Sequence, residues 1–254
     1  MGIRDNRYTV DVPTVTGPLS RPHPVHLEEA RFVRKKARRQ LKFTLPGPMT
    51  ICDTIADVHY GRRSDMAIAF AEILNAEARE LASIGVDVIQ FDEPAFNVFM
   101  EDVKEWGIAA LHRAIDGLDC TTAVRICYGY GIEENLRWKD TLGREWRQYE
   151  EIFPALNASR IDQVSLECAG SRVPTSLMSL LKDKALMVGV VEVTPDRVET
   201  PQEVAAAIRT ALTHVDPERL LPCSNCGMAP IPYEKALGKI ESIAAGAALV
   251  RRTL

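Results

Sequence analysis

The chain has 254 residues, of which 46% are hydrophobic and 26% are charged, with a formal net charge of −4 at pH 7. This composition suits a globular chain with a large core, and the small negative charge argues against a nucleic-acid-binding protein. No apolar run reaches the roughly 18 residues that span a bilayer, and residues 1–10 lack an apolar signal core, so we expect a cytoplasmic, non-membrane protein whose six cysteines stay reduced.

The predicted elements alternate between strand and helix along most of the chain. Residues 7–19 alternate β-branched and polar side chains between prolines, which predicts an edge strand or ribbon, and a helix then begins near His26. Six further strands are predicted, at residues 41–45, 86–94, 121–130, 161–168, 186–193 and 219–227. Each is followed by a helical or helix-rich segment, at residues 66–84, 103–116, 138–158, 173–184, 201–215 and 233–254.

This alternation over short connections is typical of a parallel sheet with helical crossovers. A length of about 250 residues is usual for a (β/α)₈ barrel, but only six strand–helix units follow the ribbon. The sequence therefore predicts one α/β domain over residues 1–254, a TIM-barrel-like fold that is incomplete at its N-terminus. An open sheet, or a partner or second copy that completes the barrel, is the alternative.

Three predicted strands end in residues that can bind a metal ion, namely Cys127, Glu167 and Cys226. The carboxyl ends of parallel strands meet at one face, where ligands bind. Two thiols and a carboxylate are ligands that hold zinc, and zinc can keep a substrate thiol deprotonated for alkyl transfer. Taken singly, each cysteine is more simply interpreted as a small core residue.

Other polar residues near strand ends have two interpretations each. Asp92 and Glu93 end the second strand, where a carboxylate can bind a substrate ammonium group or accept hydrogen bonds from a helix N-terminus. Cys168 is expected in the core, because neighbouring residues of a strand point to opposite faces. His59 is the histidine best placed for a functional role, although a surface position is the simpler expectation. The role of Glu192, at the end of the fifth strand, is open.

Several of these segments, in this order, resemble the cobalamin-independent methionine synthases. They are GPMT at residues 47–50, IQFDEPA at 89–95, Cys-Tyr at 127–128, SLE at 165–167 and Cys-Gly at 226–227. The resemblance runs from about Tyr8 to the C-terminus and is closest to the short, single-barrel members. It implies a (β/α)₈ barrel and a zinc-dependent methyl transfer to the thiolate of homocysteine. The implied donor is methyl-tetrahydrofolate or another methyl donor, and the product is methionine.

The resemblance also implies the roles of individual residues. The family holds zinc with a His-x-Cys pair, a Glu and a later Cys, which implies Cys127, Glu167 and Cys226 as ligands here. Asp92 matches the carboxylate that holds the amino group of homocysteine. The histidine position is occupied by Arg125, whose protonated guanidinium has no lone pair for a metal.

Arg125 leaves three protein ligands, the number that catalytic zinc sites use, with Cys223 or His59 as candidate replacements. It could also pair with Glu167 and close the site without metal. Family members carry about two more strand–helix units before the ribbon. The sequence therefore leaves two alternatives. One is another zinc-dependent thiol alkyltransferase, in which Arg125 binds a carboxylate or sulfonate. The other is a non-catalytic, truncated paralogue that acts through a protein partner.

Overall fold

Within the residues that the computed structural model describes, 1–129, 132–193 and 197–254, six strands of four to seven residues provide the parallel sheet structure of the fold. Contacts between Cα atoms divide the chain into two compact units. The first unit consists of Met1–Ile126 and Ala158–Gln163, and the second of Cys127–Asn157 and Val164–Leu254. The α/β class and the six strands are confirmed, whereas the single domain over residues 1–254 stays a prediction.

The strands follow one another as the alternation predicted. Those of the first unit are β1 (Gly2–Ile3), β2 (Tyr8–Thr9), β3 (Thr14–Val15), β4 (Lys42–Pro46), β5 (Ala56–Asp57), β6 (Val88–Asp92) and β7 (Thr121–Ile126). Those of the second unit are β8 (Gln163–Leu166, from Val164 onward), β9 (Ala185–Val191) and β10 (Leu220–Ser224). In the first unit β6 lies between β4 and β7, with Val88 opposite Lys42 and Thr121. In the second unit β9 lies between β8 and β10.

The predicted ribbon over residues 7–19 is split between two small sheets. β2 pairs antiparallel with β1, while β3 pairs in parallel with β5. Arg4, Asp5 and Asn6 all have positive φ angles, between 51° and 61°, and this left-handed turn folds β2 back onto β1. Pro13 then separates the two strands of the predicted ribbon, because proline has no N–H to continue a ladder.

The helices lie close to the predicted positions. They are α1 (Leu27–Lys36), α2 (Pro48–Thr54), α3 (Arg63–Ser83), α4 (Met100–Asp102), α5 (Ile108–Ala114), α6 (Glu133–Thr141), α7 (Gln148–Ala158), α8 (Pro201–Ala211) and α9 (Tyr233–Arg251). The helix-rich segment predicted over residues 138–158 contains two helices, α6 and α7, separated at Gly143, where φ is +78°. The segment predicted as helical over residues 173–184 forms only a 3₁₀ turn, Thr175–Leu180. The GPMT segment forms the start of α2, since Pro48 suits the first helical position.

The core of the first unit rests on a stripe of small and branched residues along α3. Ala67, Ala71, Leu74, Ala78 and Leu81 recur at helical spacing, and all are buried. Small side chains allow close approach of the neighbouring elements. No helix in the described part of the chain is long and apolar enough to cross a bilayer.

The second unit buries an ion pair beside the packed helices α8 and α9. Nζ of Lys239, on α9, lies 2.7 Å from Oε2 of Glu199, which precedes α8. Lys239 is 0% exposed, and the backbone N–H of Glu192 donates to the second oxygen of Glu199 at 2.9 Å. Ser242 donates its hydroxyl to the carbonyl of Glu199. These contacts fix the loop before α8 against α9.

Gly246 permits the close approach of α9 to α8, and its replacement is expected to be destabilising. A Cβ at this position would lie 2.5 Å from Cγ1 of Val204 and 2.9 Å from the carbonyl oxygen of Pro201. We expect Gly246→Ala to lower the free energy of unfolding by about 1–3 kcal/mol through overpacking, although alanine is the better helix former. Gly238→Ala on the same helix, whose Cβ would meet only Val198 side-chain atoms from 3.1 Å outward, is the matched control. Urea unfolding of both variants checks this prediction. An equal rise in the free energy of unfolding in the two variants would contradict it.

Candidate functional site

Asp92 and Arg125 form an ion pair at the carboxyl ends of β6 and β7. They are register partners on adjacent parallel strands, so their side chains leave the sheet on the same face. Nη2 of Arg125 lies 2.8 Å from Oδ2 of Asp92, and Gln90 donates to Oδ1 at 2.8 Å. The Asp92 side chain is 24% exposed and that of Arg125 is 12% exposed. A carboxylate at a strand end is thus fixed in position and still accessible to a ligand.

Glu93, the next residue, has a structural role at the start of α2. Its fully buried carboxylate accepts hydrogen bonds from the backbone N–H groups of Met49 and Thr50, at 3.0 and 2.8 Å, and from the Thr50 hydroxyl at 2.6 Å. Gly47 is required beside it, because a Cβ there would lie 2.1 Å from Cδ of Glu93. Of the two carboxylates that end this strand, Glu93 is therefore the one bound to a helix N-terminus.

Burial raises the pKa of the Glu93 carboxyl to about 7, against the opposing hydrogen bonds from Thr50 and Met49 and the charge of Arg4. The folded state then binds more protons than the unfolded state between the ordinary pKa of a glutamate and about 7, so stability falls as pH rises through this window. Between pH 5 and 8 we expect the free energy of unfolding to fall by about 2 kcal/mol more in the wild type than in Glu93→Gln. Chemical denaturation across this range checks the difference, and parallel pH profiles would refute it.

In the second unit, Glu167 follows β8 directly and is held by two groups of its own unit. Nζ of Lys139, on α6, lies 3.0 Å from Oε1, and the backbone N–H of Tyr128 donates to Oε2 at 2.8 Å. The side chains of Glu167 and Lys139 are only 2% and 9% exposed. The Tyr149 hydroxyl accepts from the Glu167 backbone N–H at 3.3 Å. Both carboxylate oxygens are therefore engaged by the protein.

Aromatic rings surround this carboxylate. The Tyr128 ring packs against the rings of Trp146 and Tyr149, each with a centroid distance of 5.0 Å, and stacks with Trp138 at 5.9 Å. Burial raises the pKa of the Tyr128 and Tyr149 hydroxyls, so both stay protonated near neutral pH. Glu167 and Lys139 thus lie in an apolar environment, where an ion pair is weakly screened.

The two predicted thiol ligands belong to the same unit as Glu167. Cys127 directly follows β7 and is buried, whereas Cys226 lies just beyond β10 and is half-buried. Asn225, which is fully buried, links the segment after β10 to the segment after β8. Its Oδ1 accepts from the backbone N–H groups of Cys168 and the next residue, both at 3.1 Å. Asn225 was not among the predicted site residues.

The residues present do not fit a zinc ion in the observed arrangement. Among residues 1–129, 132–193 and 197–254, no three His, Cys, Asp or Glu side chains come close enough together to hold a metal ion. Within its own unit Glu167 is paired with Lys139, and in the other unit Arg125 is paired with Asp92. Zinc binding by Cys127, Glu167 and Cys226 therefore stays a prediction from the resemblance.

The other residues that the sequence singled out have the following surroundings. His59 is exposed, with its ring edge-on to that of Tyr60 at 4.8 Å, as the surface interpretation expected. Cys168 is half-buried as a whole residue, but its thiol lies inside the protein, and burial raises the pKa of that thiol. Glu192 lies against Gly170, where a Cβ would be 2.0 Å from its carboxyl carbon. Sγ of Cys223 lies 3.9 Å from the Ser165 hydroxyl.

Comparison with known proteins identifies the family. Residues 5–248 match the family model described as the catalytic domain of cobalamin-independent synthase. The methionine synthase of Sulfolobus acidocaldarius is 30% identical over 243 residues, which cover 95% of this chain and 66% of the relative. That of Sulfurisphaera tokodaii is 27% identical with the same coverage. The chain thus spans slightly less than two thirds of the length of these relatives.

Two solved structures extend the comparison. The B12-independent methionine synthase of Shewanella sp. W3-18-1, solved in complex with selenomethionine, is 54% identical with a TM-score of 0.96, over 100% of this chain and 74% of that one. A putative vitamin-B12 independent methionine synthase from Listeria monocytogenes, 17% identical with a TM-score of 0.65 over 95% of this chain and 73% of that one, shares the fold. The TIM-barrel-like fold class and the predicted resemblance are confirmed. The chain belongs to the family of the cobalamin-independent synthase catalytic domain, the family of the methionine synthases that need no vitamin B12.

Proposed function

We propose that this chain transfers a methyl group to the sulfur of homocysteine and so forms methionine without cobalamin. The observation that carries the proposal is the match, over the whole chain at 54% identity, with a B12-independent methionine synthase solved with selenomethionine. Selenomethionine is the selenium analogue of methionine, the expected product. The proposal includes a cytoplasmic location, the kind of compartment in which cysteines are kept as thiols.

In the proposed site Asp92 binds the ammonium group of homocysteine. A carboxylate at a strand end, partly exposed and held in place on both oxygens, suits a charge-assisted hydrogen bond to an ammonium group. Arg125 acts on Asp92 as a positioning residue, because its guanidinium fixes the second carboxylate oxygen at 2.8 Å. Holding the amino acid in this way places its sulfur for reaction and lowers the entropic part of the barrier.

The proposed reaction is a displacement at the methyl carbon. The homocysteine thiol loses its proton, its sulfur forms a bond to the methyl carbon, and the bond between that carbon and the donor nitrogen breaks. The donor nitrogen then takes up a proton. Methyl-tetrahydrofolate is the proposed donor. Zinc would supply thiolate activation if Cys127, Glu167 and Cys226 came together around it, and no step above depends on that.

Growth of a methionine auxotroph tests the function, and the methyl donor need not be known because the cell supplies it. We expect the chain to restore growth of a strain that lacks its own methionine synthases on medium with homocysteine and no methionine. The Asp92→Asn variant should fail, whereas Asp11→Asn, which changes an exposed carboxylate, should succeed. No growth with wild-type protein that is expressed and folded would contradict the proposal.

A second function is favoured by the position of Arg125 next to Asp92. An acceptor thiol that carries a carboxylate or sulfonate could bind to this guanidinium, which would make the chain another thiol alkyltransferase. Competition binding discriminates the two. Methionine displaces a bound thiol substrate in the first case, whereas a sulfonate thiol binds more tightly than homocysteine in the second.

A further inference from the structure

The Glu167 carboxylate already has a cation. Nζ of Lys139 lies 3.0 Å from its Oε1, a direct hydrogen-bonded ion pair, while Oε2 accepts from the Tyr128 backbone at 2.8 Å. Both side chains are more than nine-tenths buried, so water does not screen their attraction. A buried carboxylate without a cation is strongly unfavourable. Lys139 therefore does for Glu167 what a bound metal ion would do.

Lys139 is itself held in place. Its ammonium group lies 5.4 Å from the centroid of the Trp146 ring, a second stabilising contact for a cation. It projects from α6, which it shares with the buried Asn135. An ammonium group with a carboxylate on one side and an aromatic face nearby is a preformed cation position, not a solvated surface lysine.

We propose that Lys139 is the resident cation of Glu167 and that a divalent metal ion binds this carboxylate only by displacing Lys139. A zinc ion binds a carboxylate oxygen at about 2.0–2.2 Å, and an ammonium group 3.0 Å from the same oxygen would lie close enough to repel it strongly in a buried site. The two cations are mutually exclusive at Oε1. The inference rests on the role of Glu167 as the metal-binding carboxylate in the proposed function.

The competition has a consequence for the zinc affinity of this unit. Removing Lys139 should raise that affinity, because the Glu167 carboxylate is then free to bind the metal ion. Zinc binding is thus limited by the occupied carboxylate before it is limited by the number of ligands.

Equilibrium competition with a chromophoric zinc chelator measures these affinities without any turnover. We expect Lys139→Met to bind zinc at least about tenfold more tightly than the wild type, because its carboxylate is left with no cation. Lys139→Arg, which keeps the charge, should stay as weak as the wild type. Lys182→Met, at an exposed position in the same unit, is the matched control. The double variant Lys139→Met/Glu167→Gln should bind zinc no more tightly than the wild type.

Equal or weaker zinc binding by folded Lys139→Met would overturn the proposal, as would the absence of zinc binding in both proteins. If Lys139→Met does not fold, the wild type gives the answer through its lysine reactivity. Reductive methylation read by mass spectrometry should find Lys139 protected without zinc and modified with zinc, while Lys182 reacts equally in both. Stoichiometric zinc uptake with Lys139 still protected would contradict displacement. Each result is independent of the growth test of the proposed function.

Discussion

Replacing Asp92 with asparagine is expected to lower kcat/KM for homocysteine by about 100-fold or more, mainly through KM. The ammonium group of the substrate would lose a charge-assisted partner in a partly buried site, a loss of about 2–5 kcal/mol. Arg125 would at the same time lose the carboxylate that lies 2.8 Å from it. The loss should therefore appear in substrate binding before it appears in the chemical step.

Titration calorimetry with L-methionine measures the binding part directly. The wild type and Asp11→Asn should bind equally, since Asp11 is exposed, and Asp92→Asn should bind about 100-fold more weakly. Calorimetry with two analogues of methionine, one without the carboxylate and one without the amino group, shows which group Asp92 binds. Loss of the amino group should weaken binding to the wild type far more than binding to Asp92→Asn. Equal losses in both proteins would show that Asp92 does not bind the ammonium group.

Lys239→Met is expected to lower the free energy of unfolding by about 3–5 kcal/mol, the largest effect on stability that we predict. Lys239 is fully buried, and its removal leaves the Glu199 carboxylate buried without its cation. The double variant Lys239→Met/Glu199→Gln should recover much of the loss, because it carries no unpaired charge. Glu199 also accepts from the Glu192 backbone, so a part of the loss should remain in the double variant.

A double-mutant cycle compares the wild type, Lys239→Met, Glu199→Gln and the double variant. Urea unfolding of these four proteins gives the coupling energy between Lys239 and Glu199, and Lys182→Met is an exposed control. The control should lie within about 0.5 kcal/mol of the wild type. If the Lys239→Met loss is below about 1 kcal/mol, the pair is not the tether between α9 and the loop before α8 that the structure indicates.

Most of the fold could be predicted because its signals are local. Helical spacing of small residues marks α3, and Gly85, with a φ of +91°, ends it as a helix-terminating glycine should. Periodicity did not separate an α-helix from the 3₁₀ turn Thr175–Leu180, because both repeat apolar residues at nearly the same spacing. The left-handed turn before β2 has no glycine to mark it, so the sequence did not show that β2 pairs with β1.

The candidate site could be predicted only in part, because its contacts depend on which elements pack together. Asp92 at a strand end is visible in the sequence, but its pairing with Arg125 follows from the register of β6 and β7. Lys139 lies on a helix with nothing in the local pattern to distinguish it from a surface lysine, and only tertiary packing brings it to Glu167. Asn225 was overlooked between two cysteines, although a buried amide that binds backbone groups is typical beside a strand end.

The most direct test of the proposed methyl transfer uses purified protein, homocysteine and methyl-tetrahydrofolate labelled with ¹³C in the transferred methyl group. We expect methionine that carries the label, formed one for one with demethylated donor, and formed about 100-fold more slowly by Asp92→Asn when homocysteine is well below KM. Labelled methionine would establish both the acceptor and the donor. Methionine without the label, or no methionine at all, from folded protein that binds L-methionine would contradict methyl transfer from this donor to homocysteine.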